Sequence, residues 1–490
     1  MWPFTRKKRR AGAWSLSQPL YRWSNSDAWT IGDACLGTQI WGSTGSGKST
    51  GSLAGICRSF LRAGFGGIFL TAKPEDRDVY LRYCREEKRL KDVLLFGPDY
   101  SLKYNFIDAE LHRADAGGGI VENLTMLLAT ILEINDRKGS GGGNEEGFWR
   151  RATLQLCHEA ISLLVLAKGK VTIPDLYRLV VSAPVSTEQL RSEDWRRGSF
   201  CWQCLTEADA RSKTARQHAD FELTTSFFMV EWVGLSDRTR SVVLSSFSSM
   251  VHALNRGVAR DLLSTDTNVS PEMTQHGAII LIDMPIKLYG DVGRLVQIIF
   301  KYCFQRAQER RNIAENPRST FLVCDESHLF AVSADQVFQT TARSSRTCSV
   351  YATQSISNYL AAFGGDKSEP EVHSLLGNLQ NQVFHQQTDV RTNSYAAELI
   401  GRSRQFLTNS TSSYGETDLM STMLGFRGPG QTSAGVSEQI DFEVQPKVFT
   451  SLRRGGPENG WLVEGIVYQG GAPFRQSGKN WLRTGFLQRK

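Results

Sequence analysis

Residues 42–50 read Gly-Ser-Thr-Gly-Ser-Gly-Lys-Ser-Thr. Gly42, Gly47, Lys48 and Ser49 stand at the spacing of a phosphate-binding loop, the Walker A pattern. Glycines let backbone N–H groups close around an anion where side chains would block them, and the helix that follows turns its positive dipole end to the same anion. The expected cradle is Gly42, Ser43, Thr44, Gly45, Ser46, Gly47, Lys48, Ser49 and Thr50. In it Lys48 reaches the β- and γ-phosphates and Ser49 places its hydroxyl on Mg2+.

A second element lies 277 residues beyond Lys48, where the apolar run Thr320–Cys324 ends in Asp325-Glu326. At the end of a strand, Asp325 would hold the Mg2+ shell and Glu326 would polarise an attacking water, the Walker B roles. A third run, Cys348–Thr353, ends in Gln354, a polar side chain suited to sensing a γ-phosphate. Eleven residues before it stands Arg343, the candidate for an arginine that reaches a neighbouring subunit's nucleotide, with Arg346 as a weaker candidate and a surface role as the alternative for each. No Asn-Lys-x-Asp base-reading motif occurs, so ATP with Mg2+ is the expected ligand pair, and ATP hydrolysis the expected chemistry.

These residues need a scaffold that brings distant segments to one edge. Runs at 66–76, 92–98, 277–285, 320–326, 348–354 and 381–386 read as strands covered on both faces. With the helical pattern after Ser49 they give the strand–helix alternation of an α/β protein with a mainly parallel sheet. From about 115 to 265 the pattern is mostly helical. The chain divides as a basic tail (1–28), a first part of the nucleotide-binding domain (29–165), an all-α insertion (166–240) and a second part (241–490). The last contains a Ser/Thr/Gly-rich stretch at about 402–440 that reads as a surface loop.

Composition sets the outer limits. The 490 residues carry 57 Lys+Arg against 50 Asp+Glu, a net charge of +7, which permits a polyanionic partner without demonstrating one. The block Arg6–Arg10 reads either as a solvated tail or as a contact for nucleic acid or an anionic membrane surface. The most apolar stretch, 152–169, carries His158 and Glu159 and reads as a core helix, not a membrane span. With no signal peptide, a cytoplasmic protein is expected, with recruitment to the inner face of the membrane as a variant. Nine cysteines fit a reducing compartment; Cys201 and Cys204 form one CxxC, with a zinc site the minor alternative to ordinary thiols.

Taken in order, the Walker A loop, the distant Asp325-Glu326 and Ala352-Thr353-Gln354-Ser355 resemble the HerA/FtsK group of motor ATPases. Within it they resemble the TraD/TraG class of coupling proteins of conjugation and type IV secretion. Lys73 and Glu75 match that class's Asp-x-Lys-x-Glu strand end, with Thr71 in place of the Asp. The segments 104–108, 147–152 and 235–247, and the chain end from 437, are further loose matches. The resemblance implies a RecA-like P-loop domain with an inserted all-α domain, a homohexameric ring, DNA bound without sequence preference in a central channel, and a relaxase or secretion-channel partner. A HerA-like motor in DNA processing or defence, a secretion ATPase for protein cargo, and a nucleotide-gated adaptor stand as alternatives.

Overall fold

The computed structural model describes residues 14–113, 117–136, 144–365, 368–413 and 431–488. Nine strands form the central sheet. In chain order they are β3 (Thr38–Trp41), β4 (Gly66–Leu70), β5 (Val93–Phe96), β6 (Ile279–Ile282), β7 (Thr320–Cys324), β8 (Thr347–Thr353), β9 (Asn381–Phe384), β12 (Leu462–Gln469) and β13 (Trp481–Leu487). A small antiparallel pair, β1 (Pro19–Arg22) and β2 (Ala28–Thr30), precedes them, and a long hairpin, β10 (Arg402–Ser413) with β11 (Gln431–Phe442), stands apart. The spatial order is β13-β12-β9-β3-β8-β7-β4-β6-β5. All pairings from β9 to β5 are parallel, and β12–β13 closes one edge antiparallel.

The apolar runs are continuous because both faces of the sheet are covered. Successive side chains alternate between faces: Ile68 and Leu70 join one core cluster with Trp41, Ile280, Ile282 and Leu322, while Phe69 joins the other with Ile40, Leu281, Phe321 and Val323. Every residue of β3, β4, β6, β7, β8 and β9 is buried, as expected for strands sandwiched between helical layers.

Between β5 and β6 the described residues are mostly helical, over a wider stretch than the all-α insertion expected at 166–240. Helix Asn144–Lys168 is its centre, packing against Val121–Asp136, Ile173–Val181, Phe200–Ala210 and Asp237–His252. Its Leu156, Cys157, Ala160, Ile161, Leu163 and Leu164 are fully buried, so the stretch 152–169 is a core helix. Helix starts follow local sequence: Thr172, Ser199 and Ser236 accept hydrogen bonds from the backbone N–H groups of Asp175, Trp202 and Thr239, satisfying donors that a first turn leaves free. No helix among the described residues is long and apolar enough to cross a membrane. All nine cysteines are buried and unbridged. Cys201 and Cys204 lie in the helical core, and His218 pairs instead with Glu222.

The stretch expected to be a surface loop at 402–440 differs. β10 and β11 pair antiparallel in unbroken register from Arg402↔Phe442 to Ser413↔Gln431, and residues 414–430 lie outside the described residues. Ser and Gly composition signals a loop, yet an antiparallel ladder satisfies its backbone groups without needing an apolar face, and interspersed Thr favours the extended backbone.

Helix Ile286–Arg310 secures the segment that follows β7. Arg294 donates to the Leu329 carbonyl (2.9 Å), Lys301 donates to the Phe330 carbonyl (2.7 Å) and pairs with Asp335, and Gln305 donates to the other oxygen of Asp335 (2.7 Å). Lys301 and Asp335 are 0% and 1% exposed, so each charge depends on the other. Lys301→Met should therefore lower stability by about 3–5 kcal/mol, and adding Asp335→Leu should restore much of it. Urea unfolding midpoints test this; a single variant as stable as the parent would contradict it.

Candidate active site

The loop after β3 is shaped by its glycines. Gly47 has φ +87°, and a Cβ there would lie 2.4 Å from Cγ2 of Val463 on β12. At Gly42 a Cβ would meet the Ser46 hydroxyl at 2.3 Å. The loop is anchored by neighbouring strand ends: Gly42 N–H donates to the Thr353 carbonyl (3.3 Å) and Ser43 N–H to the Gln386 carbonyl (3.0 Å). Ser49 opens a π-turn, Ser49–Leu53, that continues as helix Ala54–Ala63. Thr50 at its edge accepts a hydrogen bond from Gln488, past the end of β13 (2.5 Å).

Beneath this loop the ends of β3, β4, β7 and β8 meet. Ser49 Oγ donates to Asp325 Oδ2 at 2.6 Å. Lys48 Nζ lies 3.7 Å from both Asp325 Oδ1 and Glu326 Oε1. Lys73 Nζ, from the turn after β4, lies 3.3 Å from the same Glu326 Oε1, and Gln354 Nε2 donates to it at 3.4 Å. Two cations thus face two carboxylates. Burial would raise the Glu326 carboxyl, but Lys48 and Lys73 outweigh it and hold the group below its ordinary value, ionised. Lys73 in turn is raised: burial acts against its charge, and Glu326 and Asp325 prevail. Asp76 fixes the turn by accepting from Ala72 N–H and Lys73 N–H (2.8 Å each).

Glu326 is only 5% exposed and sits in the left-handed region at φ +52°, ψ +43°. For a non-glycine residue that conformation costs on the order of 1 kcal/mol, and it aims the carboxylate into the site. Among the described residues its Oε2 has no hydrogen-bond partner, and neither has the buried Ser46 Oγ. A carboxylate with one oxygen held by the two lysines and the other free of hydrogen bonds is where a water poised for attack would be held. Ser49 and Asp325, 2.6 Å apart, offer a hydroxyl and a carboxylate oxygen, donor types that would suit Mg2+. His328 lies next to this group, with Nδ1 2.8 Å from Thr353 Oγ1 and 3.9 Å from Glu326 Oε2. Burial lowers its pKa, and the Glu326 charge only partly restores it.

The structure therefore brings together Lys48, Ser49, Asp325, Glu326 and Gln354, with Gly42–Thr50 around them. Arg343 is not among them. It is exposed in the turn before β8, whereas Gln354 follows the other end of that seven-residue strand, about 20 Å away at 3.3 Å per residue. Arg346 is tied into the fold instead, its guanidinium donating to the Trp14 and Pro317 carbonyls (2.6 and 3.1 Å). Thr71 takes no part in the site; its hydroxyl donates to the Ile282 carbonyl (2.7 Å) and its N–H to Gln297 (2.7 Å). In the sequence Lys73 stands out only as a loose match, and His385 and Gln387 carry no signal, because their partners lie on segments remote in the chain. His385 is fully buried behind the loop, donating from Nδ1 to the Glu464 carbonyl (2.9 Å) and facing Ser52 Oγ with Nε2 (2.7 Å).

Two outcomes follow from this packing. Gly47→Ala should cost roughly 2–4 kcal/mol, combining positive-φ strain with the clash on Val463; a urea midpoint equal to the parent's would contradict it. Burial lowers His385 to about 4, so between pH 6.5 and 4 the unfolded chain takes up a proton that the folded chain refuses. Stability is then full above pH 6.5 and falls as pH drops, by about 2 kcal/mol at pH 5. Unfolding midpoints against pH should be flatter for His385→Gln; parallel curves would rule this assignment out.

Comparison with known proteins bears out the resemblance. Residues 320–439 match the family model described as the TraM recognition site of TraD and TraG, a span that holds Asp325, Glu326 and Gln354 but not the Walker A loop. No curated protein sequence matches. Among solved structures, the bacterial conjugative coupling protein TrwB in an unbound monoclinic form is 12% identical with TM-score 0.59, over 97% of this chain and 91% of that one. TrwB in complex with ADP and Mg2+ is 12% identical with TM-score 0.57, over 96% and 89%. TrwB with the non-hydrolysable ATP analogue ADPNP is 14% identical with TM-score 0.55, over 96% and 91%. At these identities the likeness concerns the fold: the chain has the RecA-like, mainly parallel sheet with an inserted all-helical segment seen in a conjugative coupling protein.

Proposed function

We propose that this chain is an ATP-driven DNA translocase of the coupling-protein kind, which moves DNA or nucleoprotein in conjugation or type IV secretion. The observation that carries the reading is the convergence on Glu326: an ionised carboxylate, nearly buried, aimed by a left-handed backbone and flanked by Lys48, Lys73 and Gln354. Such a group polarises a water for attack on a γ-phosphate held in the loop above it. ATP brings further negative charge beside Asp325 and Glu326. Lys48 is drawn from these carboxylates to the phosphates, and Ser49 and Asp325 would hold an Mg2+ whose chemistry there would be countercharge for the phosphates. Gln354, bonded to Glu326 before phosphate arrives, is placed to sense its presence.

In this reading Arg343, exposed and remote from its own chain's site, acts on the nucleotide of a neighbouring subunit in a ring. The net charge of +7 supports a polyanionic cargo gripped through its backbone, with affinity that falls as salt rises. The decisive measurement is ATP turnover with and without DNA across salt concentrations. DNA should stimulate turnover and salt should erode the stimulation. Lys48→Ala should abolish turnover, and Glu326→Gln should cut it by about 100-fold or more while nucleotide still binds. Equal rates with and without DNA at every salt concentration would remove the DNA-motor reading, and turnover that survives Glu326→Gln would remove the assigned base.

A further inference from the structure

We infer that Gln387 is a positioning residue for the hydrolytic step, linking the phosphate cradle to the sensor Gln354 while touching neither nucleotide nor water; this rests on the ATPase reading above. β8 and β9 share no ladder, because β3 lies between them. Gln387, just past β9, spans that gap over the first turn of the cradle. Its Nε2 donates to the Gln354 carbonyl. Its Oε1 accepts from Ser43 Oγ (3.0 Å), Thr388 N–H (2.8 Å) and Asp389 N–H (3.0 Å). The residue is 2% exposed, so these bonds form where water offers no substitute.

The surroundings make the link directional. The turn that carries Gln387 is bound to the sensor side independently: Ser357 Oγ donates to Asp389 (2.9 Å), and Ile356 N–H donates to Thr392 Oγ1 (2.9 Å). Residues 354–357 and 387–392 thus form one bonded unit. That unit meets the cradle at Ser43, through Gln387 Oε1, Thr388 and the Gln386 carbonyl. A shift of the Ser43 turn when phosphate enters is passed through the Gln387 carboxamide to the Gln354 backbone. The side chain of Gln354 is then set toward or away from Glu326 Oε1, 3.4 Å distant. Gln387 itself contributes no binding contact to phosphate, so its loss should appear in turnover and not in affinity.

Steady-state hydrolysis with a fluorescent ATP analogue for affinity tests this. Gln387→Met, close in shape but without polar atoms, should lower kcat at least tenfold and leave nucleotide Kd within threefold. Ser43→Ala, which cuts the other end of the same link, should also lower kcat and carries the kcat arm of the test should Gln387→Met not fold, while the affinity arm is read on Gln387→Met alone. Combining Gln387→Met with Gln354→Ala should lower kcat no further than Gln354→Ala alone, since both act through one group. Parent-like kcat in both link variants, a loss confined to Kd, or losses that multiply in the double variant each overturn the inference while the ATPase reading stands. Absence of turnover in the unaltered protein above the Lys48→Ala background overturns both.

Discussion

A carboxylate kept ionised where water is scarce is the constraint on which the site depends. Glu326 is 5% exposed, and burial by itself would drive it to its neutral, less basic form. It stays charged because Lys48 and Lys73 stand within 3.7 Å of it. Those two lysines come from the ends of different strands, so the charge state of one side chain requires β3, β4 and β7 to finish at a common edge. A parallel sheet provides this, since all its strands end on the same side and present their following loops together.

The same topology explains how a large helical segment is carried without disturbing the chemistry. Tyr104 and Thr267 form an antiparallel bridge, and Asn105 N–H donates to the Asp266 carbonyl (2.9 Å), so the helical chain between them leaves and returns at neighbouring points beside the parallel pair β5–β6. The cost of closing such a loop grows only slowly with its length. The opposite edge is closed by β12–β13, whose Val463 fills the space beside Gly47 and whose following Gln488 bonds Thr50. The cradle is thus held from both sides by segments far apart in the chain.

Helix Ile286–Arg310 connects these two regions mechanically. It begins after β6, at the return from the helical segment, and through Arg294, Lys301 and Gln305 it grips residues 329–335, shortly after Asp325 and Glu326. Gly290, with φ +54° and ψ −135°, breaks its first turns. The main body of the helix is therefore oriented by the packing of Val296, Ile298 and Phe300, and not by continuity with Ile286–Tyr289.

The sequence by itself determined the class of the fold and named most of the residues that the candidate site brings together. Glycine spacing, an apolar run ending in Asp325-Glu326 and another ending in Gln354 are local signals, because backbone reach to a phosphate and burial on both sheet faces are properties of contiguous residues. Even so, local composition misleads at 402–440, where pairing between β10 and β11 supplies the order that the Ser- and Thr-containing strands lack individually. Only the tertiary structure decided the rest. It showed that Lys73 shares Glu326 with Lys48, that Gln387 bridges strands which never pair, that His385 is held neutral behind the loop, and that Arg343 lies at the far end of β8. Each of these depends on distances between segments separated by tens to hundreds of residues. Such distances are set by how the strands are ordered in the sheet, an arrangement that no short stretch of the chain records.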